Sequence, residues 1–546
     1  MLPPPAPYQI PEETAAVAHA AFPKGTLAMR LADTVGLLYA ASDFAQAYPG
    51  MGRPSEDPVR LALVSILQFL EGLSDRQTAD AVRGRIDWKY ALRLELSDPG
   101  FDFSVLSEFR ARLLAVGREQ VLFEKVLTHL QDHGLLKARG RQRTDSTHVL
   151  GAIRQLNRLE FVIETMRHTL NTLAIVAPDW IRAHVPADWV LRYDHRAEDH
   201  RFPESAAART ALAETVGNDG QQILTWITET EADHWLLHVP AVQLLQRVWE
   251  EQYTSPPEPL RWLNKRGMPA PTQQIISPYD PDARWANKGS RIWVGYKVFL
   301  TETCDPDQPR VITHVATTPA NVADETLVEP IHADLAQADL LPSDHLMDAG
   351  FVRVEHVVAA PQQAGVRIVG PIARDSSWQA HTPGAFDKRQ FHIDWERKVV
   401  TCPMGKHSGL WYTEDAGKAR QVQVFFQRED CVPCPARTLC TRSKTGVRVL
   451  SLQPRVYHEA LQDLRQYQQT QAFQREYAAR SGVECLFSQG SRRCDVQQAR
   501  YRGLRKTHLQ QLLSATAINL LRWDAWRQEQ PIAPTRHARF TALLAA

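Results

Sequence analysis

Residues 477–506 read YAARSGVECLFSQGSRRCDVQQARYRGLRK. One acidic residue, Glu484, stands in a helix-compatible segment that then turns basic. Arg492, Arg493, Arg500, Arg502, Arg505 and Lys506 follow it, opposed only by Asp495. A single carboxylate beside that density of positive charge suits a metal ligand next to a phosphate track. Neutralising a polyanion releases its counterions, which would supply most of the affinity. The same residues also describe a solvated helix with one charged face, and the stretch alone does not separate the two readings.

Length and composition bound the rest. A chain of 546 residues has room for roughly three to four domain-sized units. An apolar fraction of 44% and a charged fraction of 23% are those of a soluble globular protein. The net charge of +1 leaves any nucleic-acid affinity to local clustering. The opening MLPPPAPYQIPEET lacks the basic and apolar regions of a secretory signal. The apolar run LALVSILQFL (61–70) is far shorter than the ~20 residues a membrane span needs. Seven cysteines without a signal fit a reducing compartment and argue against a disulfide scaffold. A cytoplasmic location is expected, which excludes secreted scaffolds and membrane transporters.

Working outward, residues 1–135 form a helical region. A Pro-rich arm and a short helix (Ala28–Tyr39) precede an amphipathic helix at Asp57–Glu71, with Pro58 in its first turn. Ser74 and Gln77 form a capping-box pattern for a second helix, and further helices are expected at Ser104–Val116 and Gln120–His133. With Arg76, Arg83, Arg85 and Lys89, these helices fit a helix-turn-helix DNA reader and a plain bundle equally. Residues 136–152 pass from Lys137, Arg139, Arg141 and Arg143 into a β-prone segment containing Asp145. Residues 153–275 are a helical, Trp-rich insertion closed by the break TSPPEPL (254–260). Residues 276–372 carry strands at 291–303 and 310–318, a helix at Asn321–Ala338, a strand at 344–352 turning at Ala349–Gly350, and a strand at Val366–Val369. Residues 373–455 mix short strands with Gly, Pro and Cys. Residues 456–530 return to helix and 531–546 form a tail. No internal repeat is visible.

Three acids stand out. Asp145 lies in a β-prone segment beside Thr144, Ser146 and Thr147; Asp348 closes the strand HLMD before a Gly turn; Glu484 lies on a helix. Such a set can converge on Mg²⁺, a hard cation that takes oxygen ligands and keeps waters for a phosphate to replace. Two ions ~3.5–4 Å apart would activate the attacking oxygen and stabilise the leaving one. Spacing alone does not separate this set from ordinary strand-end acids. Lys297 would project from a strand towards a phosphate. His148 reads as structural or functional alike, and Asn321 and Asp324 read as helix caps. Cys402, Cys431, Cys434 and Cys440 give C-x28-C-x2-C-x5-C, in which the C-x-x-C step lets two thiolates reach one Zn²⁺. Four reduced thiols is the plain alternative. Trp180, Trp189, Trp226, Trp235 and Trp249 read as core packing, with base stacking as the alternative.

The order strand-Asp, paired strands, helix, strand-Asp, long insertion, helix-Glu resembles the catalytic core of the DDE transposases. Tyr477, Arg480 and Glu484 resemble the Y-x2-R-x3-E signature of many bacterial insertion-sequence transposases. ARYRGLRKTHLQQLLSATAINLLR (499–522), SPYDPDAR (277–284), VGYKV (294–298), LMDAGF (346–351), Gly52-Arg53-Pro54 and Leu73–Arg83 resemble one such group, in order and over nearly the whole chain. The resemblance implies an α/β fold: an RNase H-like mixed sheet flanked by helices, with a helical N-terminal DNA-binding region, a helical insertion and a β/cysteine-rich insertion. It implies Asp145, Asp348 and Glu484 as the catalytic, metal-binding triad for two Mg²⁺ or Mn²⁺ ions. Tyr477 and Arg480, on the helix of Glu484, would meet DNA phosphate together with Lys297 and the arginine track. The signature's usual Lys is replaced by Ser491, and a His common after the VGYKV segment is Phe299 here. The implied reaction is cleavage of double-stranded DNA at terminal inverted repeats and strand transfer into target DNA, by a homodimer associated with the nucleoid. A nuclease of the same fold, and a domesticated non-catalytic DNA binder, remain the alternatives.

Overall fold

The computed structural model describes residues 1–3, 8–36, 38–199, 201–254, 259–416 and 419–530. The tail expected at 531–546 and parts of both proline-rich stretches lie outside them. Seven helices open the chain: α1 (Glu12–Ala21), α2 (Leu27–Val35), α3 (Pro58–Glu71), α4 (Asp75–Gly84), α5 (Ile86–Ala91), α6 (Ser104–Ala115) and α7 (Val121–Asp132). Strand β1 (Arg139–Leu150) leads to the helical insertion: α8 (Arg158–Val176), α9 (Pro178–His184), α10 (Val190–Tyr193), α11 (Ala206–Glu229) and α12 (Pro240–Gln252). Then come β2 (Arg284–Lys288), β3 (Arg291–Thr303), β4 (Ile312–Pro319), α13 (Val328–Gln337), β5 (Pro342–Leu346), α14 (Val354–Gln363) and β6 (Arg367–Val369). The cysteine-bearing lobe holds β7 (His392–Asp394), β8 (Val399–Thr401), β9 (Ser408–Ala416), β10 (Ala419–Phe426), α15 (Arg428–Cys431), α16 (Arg437–Cys440) and β11 (Val449–Leu452). Four helices close the described chain: α17 (Arg455–Tyr467), α18 (Gln471–Tyr477), α19 (Val483–Cys494) and α20 (Leu504–Arg527).

These elements fall into two units. The first holds Met1–Lys137, Asp145–Val322 and the chain from Val483; the second holds Ala138–Thr144 and Ala323–Gly482. β2, β3 and β4 of the first unit pair antiparallel, and β1, β5 and β6 pair parallel in the second, so the protein is a mixed α/β fold.

In the first unit β3 pairs antiparallel with β2 and β4, and β3 also neighbours β1. Gly295 makes that approach possible: its φ is +147°, and a Cβ there would overlap the Val149 carbonyl and the Gly151 N–H. Asp57 caps α3 by accepting the Val59 N–H at 3.0 Å, and the capping box of Ser74 and Gln77 forms at α4. α3 packs on α19 and α20, and α7 packs on α20. α20 is buried along Leu509–Leu520, and most of its polar side chains there find partners, Gln511 Oε1 being an exception among the described residues. Asn519 accepts the Ile312 N–H at 2.7 Å and donates to the Ile312 carbonyl at 2.8 Å, so a side chain continues the edge of β4. Gln510 and Gln511 donate to the carbonyls of Gln498 and Val496. In the insertion, α8, α11 and α12 share a core. Gly220 leaves the space that the Trp249 ring fills, and the Trp249 indole donates to the Gly217 carbonyl at 2.8 Å.

In the second unit residues 139–143 of β1 pair parallel with β5, Arg143 opposite Leu346, and β5 pairs parallel with β6. Behind them runs a buried polar chain: Thr144 Oγ1 lies 2.6 Å from His345 Nε2, and His345 Nδ1 lies 3.0 Å from His332 Nε2. Burial, with His356 as a second cause, lowers the His332 pKa to about 4.

Candidate active site

In the first unit, Asp145 is half-buried on β1, and its Oδ1 accepts the Ser146 N–H at 2.8 Å. Glu484 is the second residue of α19 and is exposed. A carboxylate in a first turn is favoured by the positive end of the helix, and this one makes no hydrogen bond or ion pair with another described residue. Lys297, on β3, spends one donor on the Val322 carbonyl at 2.7 Å. His148 packs edge-on against Trp293, with an Arg291 nitrogen 3.1 Å away; burial lowers its pKa and the Arg291 charge adds to this.

The basic track divides in two. Arg500 donates to the Leu73 carbonyl at 3.0 Å and lies over the Phe69 ring. Arg502 donates to the Ala152 carbonyl at 3.2 Å and lies over Tyr279. Arg505 reaches the Leu114 carbonyl and, at 3.1 Å, Glu119. These three tie the segment after α19 to the N-terminal helices and to the chain just before β2. Asp282 completes the tie by accepting the Leu504 N–H at 3.2 Å where α20 begins. Arg492, Arg493 and Lys506 are exposed, and among the described residues Arg492 bonds within its own turn, to Ser488. Ser491 is half-buried and Cys485 is exposed.

In the second unit, Asp348 stands two residues beyond the end of β5. Its Oδ1 accepts the Gly350 N–H at 2.9 Å, and its Oδ2 lies 3.6 Å from Arg480 Nη2. Tyr477 stacks on Phe473 with ring centroids 5.3 Å apart. Tyr477, Arg480 and Glu484 do not share one α-helix. α18 ends at Tyr477, a 3₁₀ turn covers Ala478–Gly482, and α19 starts at Val483. The break has a physical cause: the buried Arg143 side chain donates to the Ala479 carbonyl, and a Cβ on Gly482 would overlap its guanidinium. A side chain inserted into the helical ladder interrupts it.

Asn321 and Asp324 do not cap a helix; the residue before the turn at Asp324–Leu327 is Ala323, without a side-chain cap. Asp324 instead borders the space above Gly350, where a Cβ would lie 3.0 Å from Asp348 Oδ1 and 3.4 Å from Asp324 Oδ2. Sequence reasoning missed this neighbour of Asp348, and its position before a turn gave no signal of it.

The cations expected at the N-terminal helices are occupied. Lys89 is buried against the Asp98 carbonyl, Arg85 is held by Glu71 and Asp87, and Arg83 binds Asp80 and the Pro99 carbonyl. Arg76 lies over the Phe103 ring. Trp180, Trp189 and Trp249 are buried in the insertion's core with Trp226 packed against it, as the packing reading expects, while Trp235 is half exposed.

Among the described residues no three His, Cys, Asp or Glu are grouped so as to hold a metal ion. The donor chemistry of Asp145, Asp348 and Glu484 nevertheless suits a hard divalent cation, since each offers carboxylate oxygens. No helix of the described residues is long and apolar enough to cross a membrane.

A family model for a transposase DDE domain matches residues 401–523, which include Tyr477, Arg480 and Glu484. A second, for a transposase domain (DUF772), matches residues 16–112, from within α1 to within α6. No curated protein and no solved structure matches the chain. Such a family implies DNA as the partner and a divalent metal as the cofactor. The two matched segments, both described as transposase domains, together support a DDE-type transposase of an insertion element.

Proposed function

We propose that this protein cuts DNA at the ends of a mobile element and joins the freed ends to target DNA, using an RNase H-like core. Asp145, Asp348 and Glu484 are the metal-binding acids. The observation that carries this reading is the parallel register of the second unit. Arg143 pairs with Leu346, and Asp145 and Asp348 each follow their paired residue by two positions. Glu484 adds an exposed carboxylate, without a hydrogen-bond or ion-pair partner among the described residues, within the segment matched to a DDE domain. Held by these acids, a pair of divalent ions would activate the attacking oxygen and stabilise the leaving one.

The protein's own share is placement and charge. Arg480 lies against the Asp348 carboxylate and orients it. The Phe473–Tyr477 stack holds the Tyr477 ring beside the turn that carries Arg480. Arg492, Arg493 and Lys506 offer exposed cations to DNA phosphate, and Lys297 on β3 would add its charge to theirs. Two copies would act on paired terminal repeats.

Strand transfer separates this reading from a plain nuclease. Pre-cleaved DNA carrying the repeats that flank the coding sequence, incubated with target plasmid and Mg²⁺, should give joined products. Cutting without any joining would assign the protein to the nuclease class.

A further inference from the structure

Four thiols line one cavity of about 30 Å³ in the second unit: Cys402, Cys431, Cys434 and Cys440. That space is large enough for a guest of about the size of a water molecule. None of the four is in a disulfide. The turn after β8 is folded around Cys402: the Gly405 N–H donates to its carbonyl at 2.8 Å and the Lys406 N–H to its Sγ at 3.3 Å. Gly405 has φ +78°, a conformation that glycine adopts without strain. On the other side the Cys434 N–H donates to the Cys431 carbonyl at 3.3 Å, the tight turn of a C-x-x-C step. Cys440 ends α16, where its carbonyl accepts from Gln379 and Arg448. An ion pair of 3.0 Å between Lys406 and Asp430 ties the Cys402 turn to the Cys431 turn.

We propose that these four cysteines bind one structural Zn²⁺ that staples the lobe of β7 to β11. Sulfur donors in this number and spacing select a soft tetrahedral ion over Mg²⁺. Arg437 and Arg448 also line the cavity, and their charge offsets the surplus of four thiolates around a divalent ion. The lobe needs the staple: seven apolar side chains form its buried core among the described residues, and Cys402, Cys431 and Cys440 pack against them. A core that small is marginal without a cross-link or metal. As they stand, the sulfurs are not at ligand spacing. This site is independent of the catalytic reading.

The test uses the full chain, purified under reducing conditions and washed with a weak chelator. Elemental analysis should find about one zinc per chain. Cys402→Ser with Cys434→Ser should abolish it, and Cys304→Ser with Cys485→Ser should leave it unchanged. Because the first variant can fail to fold, Co²⁺ titration of the apo wild type supplies a second readout, with the intense visible bands of tetrahedral thiolate coordination expected. A strong chelator should lower the Tm, and Zn²⁺ but not Mg²⁺ should restore it. A zinc-free wild type that gives no Co²⁺ bands, or zinc retained in Cys402→Ser with Cys434→Ser, would overturn the proposal.

Discussion

Arg522 and Glu302 show how single residues hold the first unit together. Glu302 on β3 is fully buried, and Arg522 on α20 donates to it at 2.6 Å while also bonding Gln489 and the Arg310 carbonyl. Removing the cation leaves a buried carboxylate without its charge partner, which costs about 3–5 kcal/mol. Arg522→Leu should lower the urea midpoint accordingly, and Glu302→Gln with Arg522→Leu should recover part of the loss. A single variant as stable as wild type would contradict the pairing. Charge in the track behaves differently from residue to residue. Arg492→Ala, Arg493→Ala and Lys506→Ala should each weaken end binding and flatten its salt dependence by about one counterion. Arg500→Ala and Arg505→Ala should act first on thermal stability, since these guanidiniums bind the protein's own carbonyls. Sequence could count these cations but not sort them, because the sorting depends on Leu73, Ala152 and Leu114, hundreds of residues away.

At the scale of elements, local pattern reads well wherever the chain alone dictates structure. The strand expected at 291–303 coincides with β3, because a run of Ile, Trp, Val, Tyr and Phe has no competing helical period. The Asp57–Pro58 start and the Ser74–Gln77 box are both found, since caps are contacts over two or three residues. The single helix expected through Tyr477, Arg480 and Glu484 fails for the opposite reason. Nothing in AARSG forbids helix; Arg143, 336 residues earlier than Ala479, breaks it. Arg143→Met should therefore loosen the turn at 478–482. The lost hydrogen bond from a charged donor is worth about 1.5–3 kcal/mol, and hydrogen exchange at those amides should rise. Unchanged protection there would remove Arg143 as the cause of the break.

At the scale of the whole molecule, the N-terminal helices belong to the same unit as the chain from Val483. α3 and α7 pack on α20 within one unit, so the two matched transposase segments meet in a shared core. Composition could not foresee this, because the contacts join residues some four hundred positions apart, such as the Cys494 thiol donating to the Phe69 carbonyl at 3.4 Å. Titration is also a property of the whole. His129, His148, His168, His332 and His458 all have lowered pKa values, burial being the first cause in each. Below the ordinary histidine value of 6.5 the unfolded chain binds protons that the folded chain refuses, so stability falls as pH falls. For His332 that loss continues down to about 4. Unfolding midpoints measured between pH 7 and 4 should drop steadily, and His332→Gln should flatten part of the slope.

The assignment of Asp145, Asp348 and Glu484 is tested most directly by single-turnover cleavage of end-bearing DNA in Mg²⁺. Asp145→Ala, Asp348→Ala and Glu484→Ala should each abolish cleavage while binding the same DNA as tightly as wild type. Cleavage retained by any one of the three would remove that residue from the catalytic set.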